Sequence, residues 1–217
     1  MRPHVGLAGA FTFRNRAAGK PLWRAVSYVA CQAGETPLCL AMADCFDSAM
    51  TGVRTSRLQL HAIDVEEGER IVARRPGPTD VWADDFPFEG DVGAVAGLLC
   101  VTAERGDQRP FGFYRITSLA DGKAVGGIGF KGQPDDGCVE IGYGLAPSAR
   151  GHGYAAEAVV ALLAIAADRG VSRVIADTTL DNIASQRTLI RAGFRLVGTD
   201  GEFHHYEALL DIGHRPV

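Results

Sequence analysis

A glycine-rich, basic loop beyond the middle of the chain has the residue types that bind phosphate groups. Its two glycines allow the backbone to approach a ligand closely, and an apolar helical pattern begins just after them. The first N–H groups of a helix lack partners within that helix, and the helix dipole favours negative charge at that end. The loop therefore predicts a phosphate site formed by Arg150, Gly151, His152, Gly153, Tyr154 and Ala155.

Upstream of this loop, an alternating strand pattern places a carboxylate on an otherwise bare face. Glu140, Gly142 and Gly144 fall on one side of residues 138–145, and the apolar side chains fall on the other. A bare face leaves room for a substrate, and a carboxylate beside it could remove a proton, directly or through water. We interpret Glu140 as a candidate general base, and a solvated or hydrogen-bonded strand glutamate is the alternative.

Two polar side chains downstream of the loop lie three residues apart. Asn182 and Ser185 would share one face of a helix, where both could contact a bound ligand. Asn182 is equally suited to cap the start of that helix. Farther along, the His-His-Tyr sequence at residues 204–206 either lines a binding cleft or forms part of an edge strand.

The elements that must position these residues follow from the hydrophobic pattern and the turn residues. A strand containing Leu58 and Leu60 comes first. The pattern predicts helices over residues 64–73, 92–103 and 154–169, and a further helix from Asp181 or Asn182 to the residue before Gly193. It also predicts strands at 112–117, 124–130, 138–145 and 171–177, and a final hairpin of 194–199 with 203–210.

Composition argues against several classes of protein. The chain has 217 residues and a net charge of −4, so no basic stripe is available to follow a nucleic-acid backbone. No apolar run reaches the roughly 18 residues that a membrane span needs. The five cysteines form no C-x-x-C pair and have no histidines at zinc-ligand spacing, so we expect no metal site and a cytoplasmic location.

The chain changes character near residue 50. The segment before that point shows neither a helical nor a strand period, and it contains three of the five cysteines. We therefore predict an N-terminal extension over residues 1–52, which need not belong to the native protein, followed by one functional domain over residues 53–217. An added helix or hairpin packed on that domain is the alternative.

Two kinds of nucleotide site compete for the glycine loop. Residues 151–156 fit the dinucleotide pattern G-x-G-x-x-A. In a dinucleotide fold, however, the first glycine directly follows its strand, whereas here Pro147 and its neighbours intervene, and too little chain follows for the second half of such a fold. The same loop contains Arg150-x-x-Gly153-x-Ala155, which resembles the acyl-CoA pyrophosphate loop of GNAT-type N-acetyltransferases.

Three further stretches carry the same resemblance, in the order in which the family has them. The central strand of the RimJ/RimL branch is similar to Glu140-Ile141-Gly142-Tyr143, and its opening strand is similar to Arg57-Leu58-x-Leu60. The second signature of that branch is similar to Asn182-x-x-Ser185-x-x-x-Leu189-x-x-x-Gly193-Phe194. Together the four matches cover about residues 54–210.

The resemblance implies an α/β fold, with a mixed, mostly antiparallel curved sheet of six or seven strands and helices on both faces. It implies transfer of an acetyl group from acetyl-CoA to a primary amine, by direct attack in a ternary complex and without a metal. The partner would be a small-molecule or peptide amine, with neither nucleic acid nor membrane involved, and the chain could form a homodimer. A non-catalytic acyl-CoA-binding module is the alternative.

The resemblance also assigns roles to individual residues. The pantetheine arm of CoA would pair with the strand edge at Gly144, Leu145 and Ala146. Many members have a tyrosine acid where this chain has Leu189, which cannot donate. Ser185 would instead donate a hydrogen bond to the departing sulfur, and protonation by solvent alone is the alternative. The aromatic and acidic loop before the second helix would border the acceptor amine, which assigns to that site Trp82, Asp84 and Phe86.

Overall fold

The computed structural model describes residues 52–211, and the predicted extension at residues 1–52 lies outside them except for Gly52. The described helices are α1 (Val65–Ala73), α2 (Glu89–Arg105), α3 (Tyr154–Asp168) and α4 (Ile183–Arg191). The strands are β1 (Gly52–Arg54), β2 (Leu58–Ala62), β3 (Phe113–Ser118), β4 (Ala124–Phe130), β5 (Cys138–Leu145), β6 (Arg173–Thr179), β7 (Arg195–Thr199) and β8 (Phe203–Leu209).

These strands form one sheet in the order β1-β2-β3-β4-β5-β6-β8-β7. Every neighbouring pair is antiparallel except β5 with β6, so the predicted mixed, mostly antiparallel class is confirmed. The described part has eight strands, however, rather than six or seven. The prediction missed β1, because a three-residue strand is too short to show an alternating pattern.

Helices cover both faces of the sheet, as predicted. The α3 helix packs on β2, β4 and β5 and against α4, whereas α1 and α2 pack together on the other face. The core beneath α3 is built from fully buried Leu60, Ile128, Ile141 and Leu162. The α2 helix begins at Glu89, three residues before the predicted start, because the buried Asp91 carboxylate accepts a hydrogen bond from the Phe88 N–H (3.3 Å).

The first helix begins where the sequence predicts. Asp64 is its N-cap, and Asp64 Oδ1 accepts a hydrogen bond from the Glu67 N–H at 2.8 Å. Across residues 52–211, no helix has both the length and the apolar character needed to cross a membrane.

The strands β5 and β6 diverge in the middle of the sheet. Their parallel pairing ends at Glu140 and Ile175, whereas β5 stays paired with β4 as far as Leu145. The Ala146 N–H donates to Val125 of β4 at 2.8 Å, and backbone groups alternate in direction along a strand. The N–H groups of Tyr143 and Leu145 therefore point away from β4, into the gap that opens toward β6.

Candidate active site

A cleft of about 360 Å³ lies where β5 and β6 diverge, between the start of α3 and the length of α4. Nine predicted site residues line it: Gly144, Leu145, Arg150, Gly151, Gly153, Tyr154, Ala155, Asn182 and Ser185. The prediction did not assign the other lining residues, which are Phe88, Tyr143, Ala156, Ala184, Arg187, Thr188 and Arg191. The tertiary structure thus gathers a strand edge, a helix start and a second helix around one space.

The glycine loop takes a conformation that side chains disfavour. Gly151 and Gly153 have φ of 83° and 78°, in the left-handed region, and Gly153 is the residue from which α3 starts. A Cβ at Gly151 would meet no heavy atom within 4 Å, so the requirement there is backbone conformation rather than space. The loop therefore leaves the first N–H groups of α3 open to the cleft, where they suit an anion.

Two of the residues assigned to CoA lie outside the cleft wall. Ala146 is fully buried, and both of its backbone polar groups are used internally, by Val125 and by Ala149. His152 is exposed and stacks on the Tyr154 ring, with 5.6 Å between ring centroids. Arg150 lies on the wall, and its Nε donates to the Leu145 carbonyl at 3.1 Å.

A carboxylate in the first turn of α3 fixes the loop to the β1–β2 turn. Glu157 accepts hydrogen bonds from Thr55 Oγ1 (2.6 Å), Ser56 Oγ (3.0 Å) and both the N–H (2.9 Å) and Nε (2.7 Å) of Arg57. Arg57 Nη1 in turn donates to the His152 carbonyl at 2.8 Å. We call these contacts the Arg57–Glu157 clamp. The resemblance placed Arg57 in an opening strand, but only the fold brings it to the loop.

The clamp changes the acidity of its carboxylate. Burial alone would raise the pKa of Glu157, but the hydrogen bonds from Thr55, Arg57 and Ser56 outweigh it and lower the pKa to about 2. Glu157 is therefore ionised at all ordinary pH values, and its negative charge neutralises Arg57 beside the loop.

Tyr143 and Ser185, which both line the cleft, bring their hydroxyl groups together. The Tyr143 hydroxyl is 2.8 Å from Ser185 Oγ and donates to the Ser185 carbonyl at 3.1 Å. Burial raises the pKa of Tyr143 to about 12, although hydrogen bonds with Ser185 and Thr188 act in the opposite direction. The phenol thus stays protonated at neutral pH, and it remains a hydrogen-bond donor.

Asn182 has the capping role that the sequence offered, and it also lies on the cleft wall. Its side chain accepts a hydrogen bond from the Ser185 N–H at 3.1 Å, which makes it the N-cap of α4, and it also lines the cleft. Leu189, at the position where many relatives carry a tyrosine, is fully buried.

Glu140 does not line the cleft. Its Oε1 lies 2.5 Å from Lys131 Nζ, and the Lys131 side chain is only 8% exposed. The face that it shares with Gly144 is also less bare than predicted. A Cβ added to Gly144 would lie 2.2 Å from Cζ of the Phe88 ring, so that ring already covers the strand there.

The loop before α2 contributes a different aromatic residue from those predicted. Trp82 and Phe86 pack edge to face, with centroids 5.4 Å apart; Phe86 is 5% exposed and belongs to the core, and the partly buried Trp82 packs against that core. Asp84 is exposed in a separate depression beside Arg74. Phe88 is the aromatic residue of this loop that reaches the cleft, and its identity in sequence gave no signal for that position.

A second polar cluster lies on the sheet beyond the cleft, on the face that carries Glu140. The His205 ring is 2.7 Å from Asp177 and 3.2 Å from Asp200 through its two nitrogens. Hydrogen bonding to Asp177, and more weakly to Asp200, raises the pKa of His205 although partial burial opposes it. Among residues 52–211, no group of three or more His, Cys, Asp and Glu side chains is arranged to hold a metal ion.

Comparisons with known proteins show which family the chain belongs to. The profile of the acetyltransferase (GNAT) domain family matches residues 57–195. The chain is 30% identical over 167 residues to the uncharacterized N-acetyltransferase YjdG of Bacillus subtilis (strain 168), a match that covers 72% of this chain and 97% of that protein.

Two solved structures show the same fold. A putative GNAT-family acetyltransferase from Bordetella pertussis is 28% identical, with a TM-score of 0.52 and coverage of 72% of this chain and 98% of that one. RimL, a ribosomal α-N-protein acetyltransferase in complex with coenzyme A, is 21% identical, with a TM-score of 0.54 and coverage of 73% and 97%. The chain belongs to the GNAT acetyltransferase family and is therefore an acetyl-CoA-dependent acyltransferase.

Proposed function

We propose that this protein transfers the acetyl group of acetyl-CoA to a primary amine of a peptide or small molecule, by direct attack in a ternary complex of the RimJ/RimL type. One observation carries the proposal. The gap between β5 and β6 presents free backbone N–H groups at Tyr143 and Leu145, between the glycine loop on one side and the Ser185 hydroxyl on the other.

The donor would occupy the cleft along its length. The N–H groups at the start of α3, around Gly151 and Gly153, suit the pyrophosphate. The amide-rich pantetheine arm would pair with the open edge of β5, where the Leu145 carbonyl is already engaged by Arg150 but the N–H groups stay available. The thioester would then lie near Tyr143, whose backbone N–H would stabilise negative charge on the carbonyl oxygen during attack.

The hydroxyl groups of Tyr143 and Ser185 would stabilise the departing thiolate of CoA. The amine nitrogen forms a bond to the carbonyl carbon, the carbon–sulfur bond breaks, and the thiolate takes up a proton. Ser185 Oγ would donate to that sulfur, and the Tyr143 hydroxyl, held protonated by burial, would turn its single proton from the Ser185 carbonyl to Ser185 Oγ.

We propose that the amine proton reaches Glu140 through water. Direct contact is disfavoured, because Glu140 lies at the closed end of the gap and its Oε1 is held by Lys131. Replacing Glu140 with Gln should then lower turnover about 100-fold while leaving the affinity for acetyl-CoA within about twofold. An unchanged turnover at saturating substrates would remove Glu140 from the mechanism.

The test of the function is thiol release from acetyl-CoA against pools of primary amines and of peptides with free N-termini. We expect release with at least one pool, and about a tenfold slower rate for Ser185→Ala at unchanged CoA affinity. The alternative function is a CoA-binding module without catalysis. Tight binding of acetyl-CoA with no thiol release from either pool would favour that module over the enzyme.

We also propose that residues 53–217 contain the whole functional domain. Expression from Met50 should then give a folded product that binds CoA as tightly as the full chain does. A product that neither folds nor binds CoA would show that the first segment is required.

A further inference from the structure

The cleft carries more positive charge than a pyrophosphate needs. Three arginine residues line it, Arg150, Arg187 and Arg191, and no Asp or Glu from the described part of the chain does so. A pyrophosphate diester brings about two negative charges, and the N–H groups of the glycine loop already suit it. The surplus of cations therefore calls for a second anionic group on the same ligand.

Arg150 and the two arginines of α4 differ in their surroundings. Arg150 donates to the Leu145 carbonyl, and its charge adds to the Ser148 hydrogen bonds that lower the pKa of Asp85, so it is partly engaged within the protein. Arg187 and Arg191 are exposed, and neither forms a salt bridge with any residue between 52 and 211. Two cations on a cleft wall that form no salt bridge within the described residues are suited to bind an anionic ligand rather than to stabilise the fold.

The spacing of the two arginines suits one phosphate group. They are four residues apart on α4, so they lie on one face, about 6 Å apart along the helix axis. Arg191 is about 9 Å along the axis from Ser185, which marks the hydroxyl end of the cleft. The cleft thus has a reactive end at Tyr143 and Ser185 and a cationic end at the last turns of α4.

A purely structural role explains only one of the two arginines. Arg191 is in the last turn of α4, where a cation complements the helix dipole. Arg187 is in the middle of the helix, where that effect is absent. A phosphate group bound between the two side chains accounts for both.

We propose that Arg187 and Arg191 bind the ribose 3′-phosphate of the donor, so that the protein selects acetyl-CoA over its 3′-dephospho form. The inference rests on the proposed function, because it places the thioester at Ser185 and the pyrophosphate at the glycine loop. The ribose 3′-phosphate follows the pyrophosphate in the donor, and it carries close to two negative charges at neutral pH. Its removal would leave both guanidinium groups facing solvent.

The experiment is calorimetric titration of the full chain with CoA and with 3′-dephospho-CoA, which needs no acceptor. We expect CoA to bind at least about tenfold more tightly, as for a charge-assisted contact at a partly exposed site. Arg187→Gln with Arg191→Gln should bring the two affinities within about twofold of each other, by weakening CoA alone. Raising the salt concentration should weaken CoA more than 3′-dephospho-CoA in the unmodified protein, and equally in the double variant.

Arg173→Gln is the matched control, since Arg173 is an exposed arginine at the far end of β6 and outside the cleft. It should keep the full preference for CoA. Equal binding of the two ligands by the unmodified protein, or an undiminished preference in a folded double variant, would overturn the 3′-phosphate subsite alone. Failure of both ligands to bind the unmodified protein would instead overturn the donor site on which the proposed function rests.

Discussion

Replacing Glu157 with Gln tests the clamp that holds the glycine loop. The substitution keeps the size of the side chain but puts an amide NH₂ group where a carboxylate oxygen now accepts hydrogen bonds from Thr55, Ser56 and Arg57. The pKa of Glu157 falls from an ordinary value of 4.5 to about 2 on folding. Each pKa unit is worth about 1.4 kcal/mol, so ionised Glu157 contributes about 3 kcal/mol to the free energy of unfolding. Because the Arg57 side chain is half exposed, solvent screening reduces this contribution to about 2 kcal/mol.

The pH dependence has a definite sign. A group whose pKa is lowered on folding stabilises the protein fully above its unfolded pKa, here about 4.5, and the contribution is lost as the pH falls through about 2. Glu157→Gln should therefore lower the free energy of unfolding by about 2 kcal/mol at pH 7. The difference from the unmodified protein should shrink by more than half between pH 7 and pH 3.

The assay is urea unfolding followed by circular dichroism at pH 7, 5, 4 and 3. The matched control is Glu66→Gln, because the Glu66 side chain is 86% exposed and forms a single helix-surface pair with Arg70. The control should change stability by no more than about 0.5 kcal/mol at any pH. If Glu157→Gln lowers the free energy of unfolding equally at pH 3 and pH 7, the effect is not electrostatic. If it lowers that free energy by less than about 0.5 kcal/mol at pH 7, the Arg57–Glu157 clamp does not stabilise the fold.

Two further predictions concern the cleft and the sheet beyond it. Gly144→Ala should abolish acetyl transfer and cost about 1–3 kcal/mol of stability, because its Cβ would overlap the Phe88 ring. Adding Phe88→Ala to the same chain should restore stability. A double variant that stays destabilised would exclude the clash as the cause. His205→Asn should lower the melting temperature at pH 5.5 but not at pH 9. The raised pKa of His205 stabilises the protein below the pKa of the unfolded chain, near 6.5, and this contribution is lost as the pH rises through the folded pKa. A lower melting temperature that persists at pH 9 would mean that the ion pairs with Asp177 and Asp200 are not its source.

Local patterns predicted most of the elements, because each depends on neighbours in sequence. Asp64 and Asn182 cap α1 and α4 through side chains that bond three residues ahead. The Gly151 and Gly153 pair marked the start of α3, since both residues take positive φ there. The strand β1 was missed because three residues carry too little pattern.

The sequence did not show arrangements that depend on packing between distant segments. Trp82 and Phe86, assigned to an acceptor site from their loop, pack against each other, and Phe88 is the aromatic residue of that loop that lines the cleft. The pairing of Glu140 with Lys131 joins a residue of β5 to the residue that follows β4, and no local period encodes it. Tyr143 was missed as a site residue because its partner, Ser185, is 42 residues away.

The glycine loop, its basic residue and the strand before it were determined by the sequence alone, because backbone conformation and helix-start chemistry are local properties. Only the tertiary structure decided what surrounds that loop. The strands β5 and β6 diverge after Glu140, and Ser185, Arg187 and Arg191 of α4 line the cleft that this opens. Glu157 connects the glycine loop to Arg57. These arrangements depend on contacts between residues tens of positions apart, which arise when the sheet and its two helical layers pack together.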